Sequence, residues 1–505
     1  MRYRQQRSMS ILSSIEAGSS MVVSRRPGEQ FCWLGVEELT HGYRTCDFSP
    51  VEVARELIAR VRALDPMVNA IVNLDEPYVL AMAAASEARY LSGEALSAMD
   101  GVPVTIKDLS AVAGMPKRRG SLLSGSEPVA EDTPCVARMR EAGAVFLAKT
   151  ATPEGGCKVV TQSAVHGVTA NPYDLSKTPG GSSGGAAAAL ALGFGPVALG
   201  SDGAGSIRIP ASFTNLFGLK PGFGRVPAFP TDTDMPHSVV GPMSRTVADA
   251  AIMLDIICRP EPRDPYAWPE LFELPELNDP DLSGLAIAYS PRLGCHAPLI
   301  DSEIDALVAG VVPLLEDAGG VVAAESPVWP IDPFEPFRVF WEIGCYSTVA
   351  ATPHDKREIL DPIIQSAGAL GASRSLADHL TASEQRLKLA AASKAFFNRY
   401  HILVGPVMPV PPYSIQRNVP ERFNDPDWSW CPYTYPWNLT GQPAASVPIG
   451  FTKGGLPVGV QLIGRMGREA DLLRAARAIE LRRPLHLRRP RWLDDRDPTR
   501  SRRIT

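Results

Sequence analysis

The sequence predicts an α/β fold: a single large domain with a central mixed, mostly parallel sheet that helices cover on both sides. Two observations lead to this prediction. Segments with helical periodicity alternate with short apolar segments along most of the chain, which is typical of a mostly parallel sheet with helical connections. The chain has 505 residues, of which 45% are hydrophobic and 21% charged, and this composition is that of a globular protein with a large core.

The first clear helix signal lies near the N-terminus. Ser49 precedes Pro50, and Glu52 follows three residues after the serine, which is the pattern of a capping box with proline in the first turn. Apolar residues then recur at helical spacing. We expect a helix that begins here and ends near Asp65.

A strand is predicted immediately before Lys107. Positions 102, 104 and 106 are valine, valine and isoleucine, and they alternate with other residues as in a half-buried strand. The pattern places Lys107 at the end of this strand. Pro103 favours an edge position, because proline cannot donate to the hydrogen-bond ladder.

The remaining elements follow from the same signals. Further helices are predicted over residues 78–91, 133–143, 184–192, 207–217, 247–257, 302–318 and 469–481. Further strands are predicted over residues 70–74, 144–148, 196–199, 285–289, 402–404 and 458–463. Proline-rich segments at 259–282 and 327–336 are interpreted as surface connections within one domain.

The two ends of the chain differ from its body. Residues 1–32 are predicted to be a loose extension, 33–485 the domain and 486–505 a basic tail. The extension contains arginines but no apolar run long enough for a signal peptide, so export is not expected. No segment of the sequence has the length and apolar character of a membrane span.

The net charge and the cysteine spacing indicate which binding partners and which cellular compartment to expect. A net charge of -5 and a pI near 6.0 give no reason to expect nucleic acid as a partner. The eight cysteines are scattered without a CxxC pair, which favours thiols in a reducing compartment over disulfides or a zinc site. We therefore expect a cytoplasmic protein that contacts neither nucleic acid nor membrane.

Residues 178–210 carry the pattern of a hydrolytic site. They contain two clusters in which serine is surrounded by glycine, and glycine lets a backbone turn tightly or bring several N–H groups together. Ser206 lies just before a predicted helix, whose positive end would be near its hydroxyl group. The residues before it, 203–205, can aim backbone N–H groups at an oxyanion.

A serine nucleophile needs a base, and the sequence offers a lysine for that role. No histidine occurs between His166 and His237. Lys107 and Ser182 are the remaining candidates, because a buried lysine can lose its charge and act as a base near neutral pH. A second serine can relay the proton between this lysine and Ser206.

The motifs around these residues resemble the amidase signature family of serine hydrolases. The resemblance covers residues 34–481 and includes gaps of 75 residues from Lys107 to Ser182 and 24 from Ser182 to Ser206. The motifs that carry it are Gly101-x-Pro-x-x-Ile-Lys-Asp108, Pro179-Gly-Gly-Ser-Ser-Gly-Gly185, Gly200-Ser-Asp-x-x-Gly-Ser-Ile-Arg208, Gly218-Leu-Lys-Pro221, Asn438-Leu-Thr-Gly-Gln-Pro-Ala-Ala-Ser446 and Gly455-Leu-Pro-Val-Gly-Val-Gln461.

The resemblance implies a role for each residue at a matching position. Ser206 resembles the nucleophile, Ser182 the serine that follows a cis peptide bond, and Lys107 the base. The oxyanion would be held by the backbone N–H groups of Gly203, Ala204, Gly205 and Ser206. Supporting roles around the triad fall to Ser183, Asp202 and Arg208. The late part of the chain shapes the substrate channel in this family, and its aromatic candidates here are Trp428, Trp430, Tyr435 and Trp437.

The predicted function is hydrolysis of the C–N bond of a small, aromatic or bulky amide, or of a related carbamate or ester, through an acyl-enzyme. No metal or organic cofactor is expected, the substrate is the expected partner, and a homodimer is left open. Two alternatives remain. One is the glutamine-hydrolysing subunit of a tRNA-dependent amidotransferase, which would carry the same triad. The other is an α/β-hydrolase esterase using Ser182, which is disfavoured because no strand is predicted before this serine.

Overall fold

The computed structural model describes residues 30–230, 237–296, 300–423 and 428–495. The predicted extension falls almost wholly outside these residues. Residues from Phe31 onward form one compact unit. Its α-helices are α1 (Val36–Thr45), α2 (Pro50–Val68), α3 (Glu76–Ser92), α4 (Pro134–Glu141), α5 (Gly184–Ala191), α6 (Arg208–Phe213), α7 (Val247–Ile257), α8 (Ser302–Ala309), α9 (Val312–Glu316), α10 (Phe334–Ala351), α11 (Pro362–Ala372), α12 (Leu376–Phe397), α13 (Pro436–Leu439), α14 (Glu469–Arg482) and α15 (Arg491–Asp495).

The strands of the described residues are β1 (Ile71–Asn73), β2 (Pro103–Lys107), β3 (Val145–Thr150), β4 (Gln162–Ser163), β5 (Gly167–Val168), β6 (Val197–Asp202), β7 (Phe217–Lys220), β8 (Val239–Ser244), β9 (Ala286–Tyr289), β10 (Val321–Ala324), β11 (Ile402–Pro406), β12 (Ala444–Phe451) and β13 (Pro457–Gly464). Eleven of them form one mixed sheet in the order β1-β3-β2-β6-β8-β7-β12-β13-β11-β9-β10. A separate two-stranded sheet pairs β4 with β5.

The α/β class and the mixed sheet are confirmed, but the expected dominance of parallel pairs is wrong. Parallel pairing is confined to β3-β2-β6 at one side and β11-β9-β10 at the other. The central strands, from β6 through β8, β7, β12 and β13 to β11, pair antiparallel. Adjacent strands such as β12 and β13 are joined by a short turn, which permits only the antiparallel arrangement.

The strand that carries Lys107 is internal. β2 pairs with β3 on one side and with β6 on the other, so the expected edge position is wrong. Pro103 is tolerated because it is the first residue of the strand, where a missing N–H group costs least.

The capping box at the start of α2 forms as predicted. Ser49 Oγ accepts from the Glu52 N–H at 3.2 Å, and Glu52 Oε2 accepts from the Ser49 N–H at 2.8 Å. The helix continues through Pro66 to Val68, three residues beyond the predicted end. It stops at Asn69, which adopts a left-handed conformation with φ of 55°.

Two apolar clusters organise the interior. The main core lies along the sheet and its covering helices. A second cluster joins helices α10 and α12 to residues 407–439, and it also contains Ala204. This second cluster therefore brings a helical layer close to the loop that carries Ser206.

The beginning of the predicted basic tail packs against the domain. The Tyr173 hydroxyl donates to the Arg488 carbonyl at 2.8 Å, and the Trp492 indole donates to the Pro172 carbonyl at 2.7 Å. Residues 496–505 lie outside the described part of the chain. Within the described part, no helix has both the length and the apolar character needed to cross a bilayer.

Candidate active site

The sheet brings the candidate catalytic segments together at the carboxyl ends of β2 and β6. These strands are parallel neighbours, so their ends meet at the same edge of the sheet. Lys107 is the last residue of β2, and Asp202 is the last residue of β6. The segment containing Ser182 ends where α5 begins, at Gly184.

Lys107 is buried among hydroxyl groups. The residue is only 1% exposed, and its Nζ donates to Ser182 Oγ at 2.7 Å, to Ser183 Oγ at 3.0 Å and to Ser201 Oγ at 3.0 Å. Burial lowers the pKa of Lys107 to about 7, although the charge of Asp202 opposes this shift. An amine with this pKa is partly uncharged at neutral pH and can accept a proton.

The segment around Ser182 is held in close contact with its neighbours. The Gly181–Ser182 peptide bond is cis, as the resemblance implied. A Cβ atom on Gly181 would lie 2.6 Å from the Val160 nitrogen, so only glycine fits this approach. Ser182 itself is 2% exposed.

The loop before Ser206 presents part of the expected set of N–H groups. Gly205 has φ of 126°, and its N–H donates to Asp202 Oδ1 at 2.6 Å, so in this structure that group faces the carboxylate. Among the described residues, no acceptor is found for the N–H groups of Gly203, Ala204 and Ser206. Ala204 does not adopt a positive φ, so its methyl group causes no strain there.

Asp202 and Arg208 form a buried ion pair that braces this loop. Two bonds of 2.9 Å join the guanidinium to the carboxylate, and both side chains are fully buried. Burial would raise the pKa of Asp202, but the charge and hydrogen bonds of Arg208 outweigh it and hold that pKa below its usual range. The carboxylate is therefore ionised and fixes the backbone of Gly205.

Two distant polar side chains complete the brace. Asn438 Oδ1 accepts from Arg208 Nη2 at 2.6 Å, and Gln461 Oε1 accepts from Arg208 Nη1 at 2.6 Å. Asn438 also donates to the Asp202 carbonyl at 2.9 Å. Both residues lie in motifs that supported the family resemblance, but no individual role was predicted for either of them.

Two further contacts were not predicted. Ser201 binds Lys107, and its position beside Asp202 in the Gly-Ser-Asp motif was the available signal. Thr434 Oγ1 donates to the Ala204 carbonyl at 2.6 Å. Thr434 lies between two tyrosines of the aromatic segment, and no sequence pattern indicates its contact.

The aromatic candidates divide between the two clusters. Trp428, Trp430 and Tyr435 belong to the second cluster, which also contains Ala204. Trp437 lies in the main core, where it packs against Trp329 at 5.4 Å between ring centroids. The first three aromatic residues therefore share an apolar cluster with Ala204, whereas Trp437 belongs to the main core.

Comparisons with known proteins agree with this architecture. A model of the amidase family matches residues 52–473. An acylamidase of Rhodococcus erythropolis is 34% identical over 480 residues, covering 91% of this chain and 97% of the relative. A glutamyl-tRNA(Gln) amidotransferase subunit of Myxococcus xanthus is 34% identical over 470 residues, covering 86% and 93%. Among solved structures, a bacterial aryl acylamidase of the amidase signature family has a TM-score of 0.84 and 28% identity, covering 90% and 96%.

The fold and these similarities define the class of the protein: it is a hydrolase that acts on C–N amide bonds. The family match covers most of the chain, and the relatives span nearly its whole length. The chain belongs to the amidase signature family.

Proposed function

We propose that this chain is a stand-alone acylamidase that forms an acyl-enzyme on Ser206, with Lys107 as base acting through Ser182. The observation that carries the proposal is the contact between Lys107 Nζ and Ser182 Oγ at 2.7 Å in a site where burial lowers the lysine pKa to about 7. A lysine surrounded by hydroxyl groups is equipped to accept a proton from one of them.

The proposed cycle moves one proton at a time. Uncharged Lys107 takes the proton of Ser182, which takes that of Ser206 as its oxygen attacks the amide carbonyl. The backbone N–H groups of Gly203, Ala204 and Ser206 are the proposed donors to the resulting oxyanion. Ser182 then gives its proton to the departing amine, the C–N bond breaks, and the Lys107 ammonium returns a proton to Ser182. A water molecule next attacks the carbonyl of the Ser206 ester with the same proton transfers. The ester bond breaks, and the acid is released.

The second apolar cluster supports an apolar or aromatic group on the substrate. It joins Ala204, which is two residues from Ser206, to Val159, Val160, Trp428 and Tyr435. We propose that one group of the substrate lies against this buried cluster, which would favour a hydrocarbon or ring over a charged group, because burying a charge without a partner is costly. The similarity to an acylamidase and an aryl acylamidase supports the same substrate class.

The second candidate is a glutamine-hydrolysing subunit that works with partner chains. The similarity to the Myxococcus xanthus amidotransferase subunit favours it. A substrate placed against the apolar cluster, as we propose, would disfavour it, because glutamine carries an ammonium and a carboxylate that would both need polar partners. We therefore place this function second. The scattered cysteines, which form no CxxC pair in the sequence, support our proposal of a cytoplasmic location.

The test is release of 4-nitroaniline from 4-nitroacetanilide by the purified single chain, with ammonia release from glutamine measured in parallel. We expect anilide cleavage by the wild type and its loss in Ser206→Ala. Ser244→Ala is the matched control, because Ser244 is also buried but pairs with Val197 at the opposite end of β6. Unchanged cleavage in Ser206→Ala would exclude Ser206 as nucleophile. Cleavage of glutamine alone would favour the second candidate.

A further inference from the structure

A buried threonine outside the proposed triad spans the segment that carries Ser182. Thr161 Oγ1 donates to the Gly180 carbonyl at 2.9 Å and accepts from the Gly184 N–H at 3.0 Å. These two groups lie on either side of Ser182 and Ser183. One hydroxyl group thus fixes both ends of the segment, and Thr161 is only 1% exposed.

The helix that follows explains why an outside hydroxyl is needed. Ser183 occupies the N-cap position of α5, where a serine side chain usually accepts from a backbone N–H of the first turn. Here its side chain makes no such bond. Its hydroxyl instead accepts from Lys107 Nζ at 3.0 Å and donates to the Ser201 carbonyl at 3.2 Å. Thr161 supplies the N–H of Gly184, the first residue of the helix, with an acceptor from outside the helix.

Thr161 is itself anchored on both sides. The Thr169 N–H donates to the Thr161 carbonyl at 2.9 Å. The preceding backbone, at Val160, lies against Gly181, where an added Cβ would approach its nitrogen to 2.6 Å. The hydroxyl of Thr161 is thus presented from a fixed backbone rather than from a surface loop.

We propose that Thr161 is a positioning residue for the reaction: its hydroxyl holds the 180–184 segment so that Ser182 and Ser183 both face Lys107. This inference rests on the proposed function, because it concerns the same lysine and serine. It adds the Thr161 hydroxyl as a requirement for activity beyond the three residues of the proposed triad. Removal of one hydroxyl outside the triad disturbs two of the oxygen atoms that surround Lys107.

The expected effect on the reaction has two parts. In Thr161→Val, kcat falls by about 10- to 100-fold, because a shift of about 1 Å in a reacting group costs on this order. KM changes little, since Thr161 is not expected to contact the substrate. The protonated amine of Lys107 also loses hydroxyl acceptors, which lowers its pKa further. The acidic limb of the kcat–pH profile therefore moves to lower pH. Asp202 is the charged group whose field acts on Lys107, and the substitution leaves it in place.

The experiment compares three substitutions at this position with a matched threonine elsewhere. Thr161→Ser keeps the hydroxyl and is expected to restore kcat and the pH limb. Thr161→Ala also removes the hydroxyl, but with a smaller side chain, and it replaces the valine variant if that variant does not fold. Thr40→Val is the control: Thr40 is also buried and donates to a helix carbonyl at 3.1 Å, but it lies on α1. It is expected to lower thermal stability without moving the pH limb.

Two results would overturn the proposal. One is a wild-type kcat and pH limb in both Thr161→Val and Thr161→Ala. The other is a loss of activity that follows thermal stability while the pH limb stays in place, which would reduce Thr161 to a structural role. The Ser206→Ala variant distinguishes a failure of the proposed function from a failure of the proposed role of Thr161. If it abolishes turnover while the Thr161 variants behave as wild type, only the role of Thr161 fails. If it retains turnover, the proposed function itself fails.

Discussion

At the scale of single residues, the site depends on which partner each buried lysine has. Lys149 is as buried as Lys107, but its Nζ lies 2.7 Å from the carboxylate of Asp108. Lys107 contacts hydroxyl oxygens instead. A carboxylate partner stabilises the ammonium form, whereas hydroxyl groups compensate less for lost hydration. The residue types around Lys107 therefore leave it able to exchange a proton near neutral pH.

The first prediction follows from this proton exchange. Lys107 must be uncharged to act as the proposed base, and its pKa is lowered to about 7. Below that pH the amine is protonated and inactive, so kcat is expected to rise with pH through about 7 and then level off. Lys107→Arg is expected to be inactive throughout, because a guanidinium does not lose its proton in this range.

The measurement is the initial rate of amide cleavage under saturating substrate from acid to mildly alkaline pH. Thermal unfolding over the same range is the control, because it separates titration of the site from loss of the fold. A profile without a limb near neutral pH, or an active Lys107→Arg, would contradict the role of Lys107.

The sequence marks candidate residues where a motif is local, and it does not mark partners that are distant along the chain. The motifs single out Lys107, Ser182 and Ser206 as candidates, and the family resemblance implies supporting roles for Asp202 and Arg208, which the structure joins in an ion pair. Arg208 also binds a residue 253 positions away, Gln461. Nothing in the local pattern fixes such a contact, because it depends on the order of strands in the sheet.

At the scale of elements, helices α10 to α12 are the largest feature without a sequence prediction. Exposed leucines explain part of the difficulty, since Leu376, Leu380 and Leu387 lie on the outer side of α12. Apolar residues on both faces obscure the helical periodicity that a surface helix normally shows. The predicted helix over 302–318 is likewise two helices, α8 and α9, with Pro313 in the first turn of the second.

A buried ion pair joins the start of α11 to the segment that precedes Thr161. Lys158 Nζ lies 2.7 Å from Asp361 Oδ2, and the two side chains are 8% and 9% exposed. Asp361 also caps α11 by accepting from the Ile363 N–H at 3.0 Å. Its own N–H donates to Glu154 Oε2 at 2.6 Å. The start of α11 is thereby attached to the segment that leads to Thr161.

The second prediction tests this attachment. Asp361→Ala removes the cap and leaves Lys158 without its partner, so we expect the free energy of unfolding to fall by about 3–5 kcal/mol. The measurement is urea unfolding together with hydrogen exchange, in which the amides of residues 362–372 should exchange faster while those of the central sheet stay protected.

Asp301→Ala is the matched control for that experiment. Asp301 also caps a helix, by accepting from the Glu303 N–H at 2.9 Å, but it has no ion pair within the described part of the chain. Its replacement is expected to cost about 1 kcal/mol. Equal costs for the two substitutions would show that the pair with Lys158 contributes nothing to stability.

At the scale of the whole molecule, the burial of the cysteine side chains indicates how closely the interior is packed. All eight are thiols, and six of them are buried. Burial raises the pKa of Cys135 to about 11 and that of Cys258 and Cys345 to about 12. A thiol reacts as its thiolate, so these groups are protected both by exclusion of reagent and by their protonation.

The third prediction is that an aromatic disulfide reagent titrates one thiol rapidly in the native protein and all eight in denaturant without added reductant. The fast group is Cys46, which is exposed, and Cys295 follows slowly because it is partly exposed and burial raises its pKa to about 12. Cys46→Ser should remove the fast phase and leave the others unchanged. Fewer than eight thiols in denaturant would reveal a disulfide, and several fast thiols in the native state would mean that the core is less closed than the structure requires.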